Sequence, residues 1–268
     1  MCIRDRNSVK TNGLEERQYP PALSRQGENK GGGTVPSQEF VDAFTMADGS
    51  QFVRSTTTGA EQYIGRDPRL YSTIVYNAAT FGTHGTIYTR RDPGDNNGLN
   101  TVVRGSTTTG YYLKKFVNNI SCKEPATYPH AWMIFRYGEI LLNAAEAYNE
   151  AEGPAKAYSY INEVRARAGM PAYADMSQSE LRERIRNERR IELAFEDHRF
   201  WDVRRWKIAD TTQRELYGVK IEKQADGTFN FYKNLYETRN WRDCMYLYPI
   251  PQSELYKNTN LNPQNAGW

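Results

Sequence analysis

Cysteine is scarce in this chain: Cys2, Cys122 and Cys244 are the only three in 268 residues. Their number and separation exclude a disulfide framework and a thiolate metal site, and leave a Cys122–Cys244 bridge as the one pairing open. Also absent is any apolar run near the roughly 18 residues that cross a bilayer. With a mean hydropathy of −0.80 the folded part is expected to be water-soluble. Nor is there an excess of one charge. The 35 basic and 32 acidic residues interleave to a net +3, which is not the concentrated basic surface that a phosphate backbone requires, so nucleic acid is not an expected partner. What the chain does carry is aromatic side chains, 13% of all residues with 19 tyrosines. Core and surface contacts therefore draw on rings with a polar handle, which suits polar ligands.

Composition divides the chain. The opening "MCIRDR" has neither the apolar stretch nor the small-residue cleavage site of a secretory leader, and it reads as a translated sequencing-adaptor remnant. Cys2 is accordingly not read as a lipid-accepting cysteine. Residues 7–38 are polar and punctuated by Pro20, Pro21, Gly27 and Pro36. The run Gly31, Gly32, Gly33 lacks the Lys-Ser/Thr of a phosphate loop. Residues 1–33 are thus assigned as a disordered or artefactual remnant and linker. A short helix is expected after Ser37 as N-cap, with Phe40, Val41 and Phe44 at helical spacing and Asp48-Gly49 as its stop. From Ser50 to Thr127, Thr, Gly, Asn and Tyr dominate, which predicts long loops with short strands. Loops of that length in a compact protein usually carry function.

After Pro129 the pattern turns helical. "WMIFRYGEILLNAAEAYNEA" places Ile134, Leu141, Ala145 and Tyr148 on one stripe and stops at Gly153. "PAKAYSYINEVRARAG" follows, opened by Pro154 and closed by Gly169. An antiparallel pair of about 34 residues, with small Ala144, Ala145 and Ala157 and with Tyr148 and Tyr160, resembles a tetratricopeptide unit. One such unit cannot bury its own faces, so partner helices are expected.

A third helix opens with Ser177 and Glu180 at the spacing of a capping box. Advancing about 100° per residue from Leu181 puts Ile185, Ile191 and Phe195 on one side, with Glu188 and Glu192 in the middle of that stripe. An inward carboxylate must be paired, and the arginine fork is the natural partner. Arg165 and Arg167 of the preceding helix, or Arg204 and Arg205 beyond the turn, are the expected partners in a buried lattice. Glu192, Glu196, His198 and Asp202 match no H-E-x-x-H order and are not read as a metal or acid/base site. Phe200, Trp201 and Trp206 interleave with arginines, but the nearby acids would repel phosphate. Trp132 and Trp241 are expected in the core. No catalytic residue, metal or cofactor is expected.

Six stretches now stand in order: "SQEFVDAFTMADG", "GRDPRLYSTIVYN", "RYGEILLNAAEAYNEA", "INEVRARAGMP", "ELRERIRNERRIELAFEDHRFWDVRRW" and "YLYPIPQSELYKNTNLNPQNAGW". Together they resemble the C-terminal half of the RagB/SusD family across residues 34–268. The resemblance implies a mainly α fold, in which tetratricopeptide-like helix pairs form a superhelical scaffold with long irregular loops and a few short strands. It implies a loop-rich ligand face over 34–128, the helical scaffold over 129–210 and an extended C-terminal segment over 211–268. It also implies a non-catalytic surface lipoprotein of the Bacteroidota outer membrane, a lid on a SusC-like TonB-dependent transporter that captures glycans or other nutrients. The family's signal peptide, lipidated cysteine and N-terminal helices are not in this sequence, so a lipid anchor is expected only of a longer protein.

Sugars are held by aromatic faces, with Asn, Asp, Arg and Gln bonding the hydroxyls. Tyr63, Phe81, Tyr88, Arg90, Arg91, Asp92, Asn96 and Asn97 are the candidates, with "TRRDPGDNNG" as the tip of the site. Tyr71 and Tyr76 belong to a family-wide motif and are read as packing. Asp92, Asp95 and Asn97 miss the EF-hand spacing, and turn chemistry accounts for them. His84 and His130 are read as loop hydrogen-bonders. Two other functions compete: a tetratricopeptide-type scaffold for a protein ligand, and a glycan-cleaving enzyme, which needs two carboxylates about 5–10 Å apart. The loops offer no such pair.

Overall fold

The computed structural model describes residues 2–7, 13–23, 32–54, 59–82, 85–92, 106–117 and 130–268. Its first half is built from short pieces: helices α1 (Gly13–Gln18), α2 (Gln38–Ala43) and α3 (Pro68–Thr73), and small antiparallel pairs. β2 (Ile74–Val75) pairs with β5 (Tyr112–Leu113), and β3 (Ala79–Thr80) with β4 (Thr86–Ile87). Asp67 caps α3 by accepting from the Arg69 backbone N–H, and Pro68 supplies its first position. Ser37 sits at the N-cap of α2 with extended backbone but makes no side-chain cap bond.

The opening residues depart from the linker expectation. β1 (Cys2–Asn7) pairs antiparallel with β6 (Ala131–Arg136). This second strand also corrects the helix start. "AWMIFR" is rich in aromatic and β-branched side chains that favour a strand once a partner is present, so α4 (Tyr137–Glu152) begins only after Arg136. Ile134 therefore leaves the helical stripe and Trp132 leaves the core; they are 45% and 52% exposed.

α4 returns through Gly153 into α5 (Pro154–Arg167), and α6 (Gln178–Glu192) packs on both. Gly153 has φ +86, a conformation open to glycine, and Pro154 directly follows it. Leu142, Ala145, Ala157, Ile161, Leu181 and Ile185 form the core between the three helices, and Tyr148 stacks on Tyr160 at 5.3 Å. Ser177 and Glu180 close the capping box at the start of α6. The third helix ends earlier than its charge pattern suggests. Phe195 and Asp197 take positive φ of 60° and 63°, Phe195 packs edge-on against Phe40 at 5.5 Å, and α7 (His198–Arg205) starts afresh.

Beyond the short α8 (Ala209–Thr212), the segment expected to be extended folds into a long hairpin, β7 (Glu215–Lys223) with β8 (Phe229–Thr238). β7 packs into the loop half. Gly218 lies so close to the Thr109 backbone that a Cβ would fall 2.5 Å from the Thr109 Cα, and the Val219 N–H donates to the Thr109 carbonyl at 2.8 Å. Val219 and Ile221 thereby join Val41, Phe44, Leu70 and Tyr111 in a second core. α9 (Gln252–Lys257) follows Pro251, and Trp268 donates its indole N–H to the carbonyls of Cys244 and Leu247. Cys244 is a free thiol, and Cys122 lies outside the described residues. Trp241 is half-buried against Tyr246 rather than in the main cores.

Candidate ligand-binding site

The chain leaving β4 meets β7 at a single isolated bridge. The Arg91 N–H donates to the Ile221 carbonyl at 2.8 Å, and Arg91 and Glu222 form a parallel bridge. This contact brings Arg90, Arg91 and Asp92 against side chains of the hairpin. The Arg90 guanidinium lies 4.2 Å from the Tyr88 ring centroid and 4.6 Å from that of Phe229, the first residue of β8. Flanking ion pairs fix the edges: Arg91 to Glu222 at 3.7 Å, Lys220 to Glu222 at 2.7 Å and Lys223 to Asp92 at 3.5 Å. Tyr88 remains 38% exposed. The result is an amphipathic surface of two rings, one stacked cation and several hydrogen-bonding groups.

The other predicted ligand residues divide. Tyr63 and Phe81 are buried at 3% and 0% exposure, which removes them from a ligand face. Tyr63 stacks on Tyr76 at 4.4 Å and shares a hydroxyl contact with Tyr111 at 3.1 Å, and Phe81 meets Tyr19 edge-on at 5.4 Å. Thin loop layers have few aliphatic residues with which to fill a core, and these rings take that place. Burial pushes the Tyr63 hydroxyl well above its ordinary pKa, so it stays protonated. Asn96, Asn97 and His84 lie outside the described residues. His130 approaches the Glu15 carboxylate at 3.1 Å. Phe229 escaped the sequence reading, because nothing local marks a hairpin residue as the neighbour of a loop far upstream.

Glu188 and Glu192 do face inward, at 1% and 5% exposure, each between several guanidiniums. Arg165 reaches Glu188 at 3.0 Å, and Arg167 spans both oxygens of Glu192 at 2.6 and 2.7 Å. The remaining partners are not Arg204 and Arg205. Arg69 of α3 bonds Glu188 at 2.6 Å and Glu192 at 3.0 Å, and Arg136 at the end of β6 bonds Glu192 at 2.6 Å. Because α7 turns away after Asp197, Arg204 lies 3.5 Å from the Phe200 ring centroid, and Arg205 pairs with Asp202 at 2.8 Å and with Glu146. Burial raises the Glu192 carboxyl, but the charges of Arg136, Arg167 and Arg69 outweigh it and hold the group below its ordinary value. The lattice floors a cleft of about 1010 Å³ that includes Tyr71, Lys114, Phe116 and Tyr137. The lattice carboxylates Glu188 and Glu192 are committed to guanidiniums; the cleft is also lined by Glu196, bonded by Arg136 and Lys115, and by the exposed Glu163. Among the described residues no group of three His, Cys, Asp or Glu side chains is placed to hold a metal, and no helix is long and apolar enough to cross a membrane.

A helix-pair scaffold joined to a loop-rich half places the fold in the tetratricopeptide-like helical class. More particularly, the chain belongs to the SusD family, whose model matches residues 3–268 and so begins well before residue 34. It is 40% identical over 143 residues to a SusD-like protein of Formosa agariphila, a match covering 50% of this chain and 25% of that one. Among solved structures, a SusD-like protein of Bacteroides fragilis superposes with a TM-score of 0.80 at 32% identity, covering 100% of this chain and 54% of the other. A SusD-like carbohydrate binding protein of the same species gives 0.75 at 26% identity, covering 97% and 54%. The chain thus spans about half the length of these solved relatives, and its match to the curated one covers a quarter of that protein.

Proposed function

We propose that this protein binds an oligosaccharide through the Tyr88, Arg90 and Phe229 surface, and that it delivers the ligand uncleaved to a SusC-like TonB-dependent transporter at the outer-membrane surface. The observation that carries the reading is the exposed Tyr88 ring beside an arginine stacked between two aromatics. Such a surface offers an apolar face to sugar C–H groups and fixed donors to hydroxyls. Kinship with a SusD-like carbohydrate binding protein supports the ligand class. A macromolecular partner is part of the same proposal, and the individually exposed Trp132, Phe135, Tyr137 and Ile140 of β6 and α4, each between 41% and 52% exposed, are available to it.

Calorimetric titration with maltoheptaose, laminarihexaose, cellohexaose and xylohexaose tests the ligand, and assay of new reducing ends tests for cleavage. Binding of at least one glucan or xylan oligomer is expected, weakened about tenfold or more in Tyr88→Ala and Phe229→Ala, since loss of a central aromatic contact costs about 1.4 kcal/mol or more. Melting should be nearly unchanged in Tyr88→Ala. Retained affinity in both variants would move the site elsewhere, and product formation would make the protein an enzyme.

A further inference from the structure

On α6, Arg186 and Arg190 stand four residues apart and therefore share a face. Arg199 follows in the first turn of α7, across the bend at 193–197. All three are partly buried. Their neighbours are matched with acids: Arg189 with Asp202 at 3.1 Å, Arg205 with Asp202 at 2.8 Å. Arg190 and Arg199 have no hydrogen-bond acceptor or ion-pair partner among the described residues. Arg186 gives one N–H to the exposed Glu183, while its Nε is buried without an acceptor.

The carboxylates that attract this cluster from a distance are already engaged. Asp42 accepts from Arg54 and from Gln38, both at 2.8 Å. Glu39 accepts the Tyr217 N–H through Oε2 at 3.1 Å, and its Oε1 is ion-paired with Lys233 at 3.3 Å without a hydrogen bond. Asp202 carries the two arginines just named. Burial and the repulsion of Arg199 bring the Arg190 guanidinium down to about 10, and burial also lowers Arg199, with Arg186 adding repulsion. Partly desolvated like charges without a counter-ion are costly, and an anion between them would offset that cost.

We propose that Arg190 and Arg199, with Arg186 beside them, form a receptor for a compact oxyanion, a sulfate or carboxylate group that is either a free ion or part of an acidic sugar. Two planar guanidinium forks suit such a group, and no residue of the Tyr88 surface takes part.

The test is thermal melting of the chain and of an Arg190→Gln/Arg199→Gln double variant at constant ionic strength, titrated with sodium sulfate, glucose 6-sulfate, glucuronate or glucose. Expected is a saturable rise in melting temperature of the wild type with at least one of the three anions, none with glucose, and no such rise in the double variant. In anion-free buffer the double variant should melt no lower than the wild type, because its like-charge repulsion is gone. A response to sulfate alone identifies a free ion as the source, and a response to the sugar anions alone identifies an acidic sugar. Parallel responses in the two proteins, or no saturable response in the wild type, overturn the proposal. Should the double variant fail to fold, Arg190→Lys takes its place: it keeps the charge but loses the fork and should weaken the anion response several-fold, and an unchanged response would overturn the proposal.

Discussion

Between α5 and α6 the buried polar groups are charged: two glutamates stand among Arg69, Arg136, Arg165 and Arg167. Around Tyr111 in the loop half they are mostly neutral. Tyr111 donates to Gln38 at 2.6 Å, and the Thr107 hydroxyl donates to the Tyr111 carbonyl at 2.7 Å while receiving the N–H groups of Thr109, Gly110 and Tyr111. Even the buried cation there serves main chain: Arg66 donates to the carbonyls of Gln62, Val41 and Phe44 at 2.6, 2.8 and 2.6 Å. The difference follows from the backbone. A helix satisfies its own N–H and C=O groups, so its side chains are free to pair with one another across elements. An irregular loop leaves main-chain groups open, and buried side chains must meet them. The α6 carboxylates are held by charge, and the surroundings of Tyr111 mainly by side-chain service to the backbone.

The comparison is easiest to break at Glu192. Glu192→Ala removes the anion shared by Arg69, Arg136 and Arg167. Arg69 keeps Asp67 and Glu188, Arg136 keeps Glu196 and Arg167 is exposed, so a loss near the lower end for a broken buried pair, about 3 kcal/mol, is expected in urea unfolding. A change below about 1 kcal/mol would show that the lattice contributes no net stability. Arg66→Met should cost less, about 2–3 kcal/mol, since the carbonyls it leaves are neutral acceptors. If Arg66→Met proved the more harmful, main-chain satisfaction would outweigh charge pairing in this fold. Acid sharpens the contrast further. The folded Glu192 pKa lies below the unfolded carboxylate value of about 4.3, so its stabilisation is fully present above that value and is lost as the pH falls through the folded pKa. The loop half relies on tyrosines whose pKa values burial drives upward, Tyr112 to about 12, so they stay neutral through this range. Part of the fall in melting temperature below about pH 4 should therefore disappear in Glu192→Gln and persist in Arg66→Met.

Legibility in sequence tracked the range of the interaction. The pair α4 and α5, the Gly153-Pro154 turn, the capping box at Ser177 and the inward set of Glu188 and Glu192 all rest on contacts within a few turns of helix, which periodicity and cap chemistry report. Arg69 bonds Glu188 across 119 residues, and Arg136 bonds Glu192 across 56. No spacing rule reaches so far, and the nearer Arg204 and Arg205 looked equally suitable until the bend at 195–197 carried them away. At the proposed ligand surface, Tyr88 and Arg90 stood out by residue type, whereas Tyr63 and Phe81 were equally aromatic and turned out buried. A ring in a polar loop has the same local pattern whether it faces a core or a sugar.

The amino-acid sequence by itself carried the family resemblance in its ordered motifs, and it determined the helix pair and the need for paired carboxylates inside α6, because these two follow from residue type and local period. Only the tertiary structure decided which arginines answer those carboxylates, that "AWMIFR" is a strand, that Phe229 lies beside Tyr88 and Arg90, and that Arg190 and Arg199 have no ion-pair partner among the described residues. Those outcomes depend on which distant segments share a small volume, where hydrogen bonds and charges must balance among whatever groups arrive.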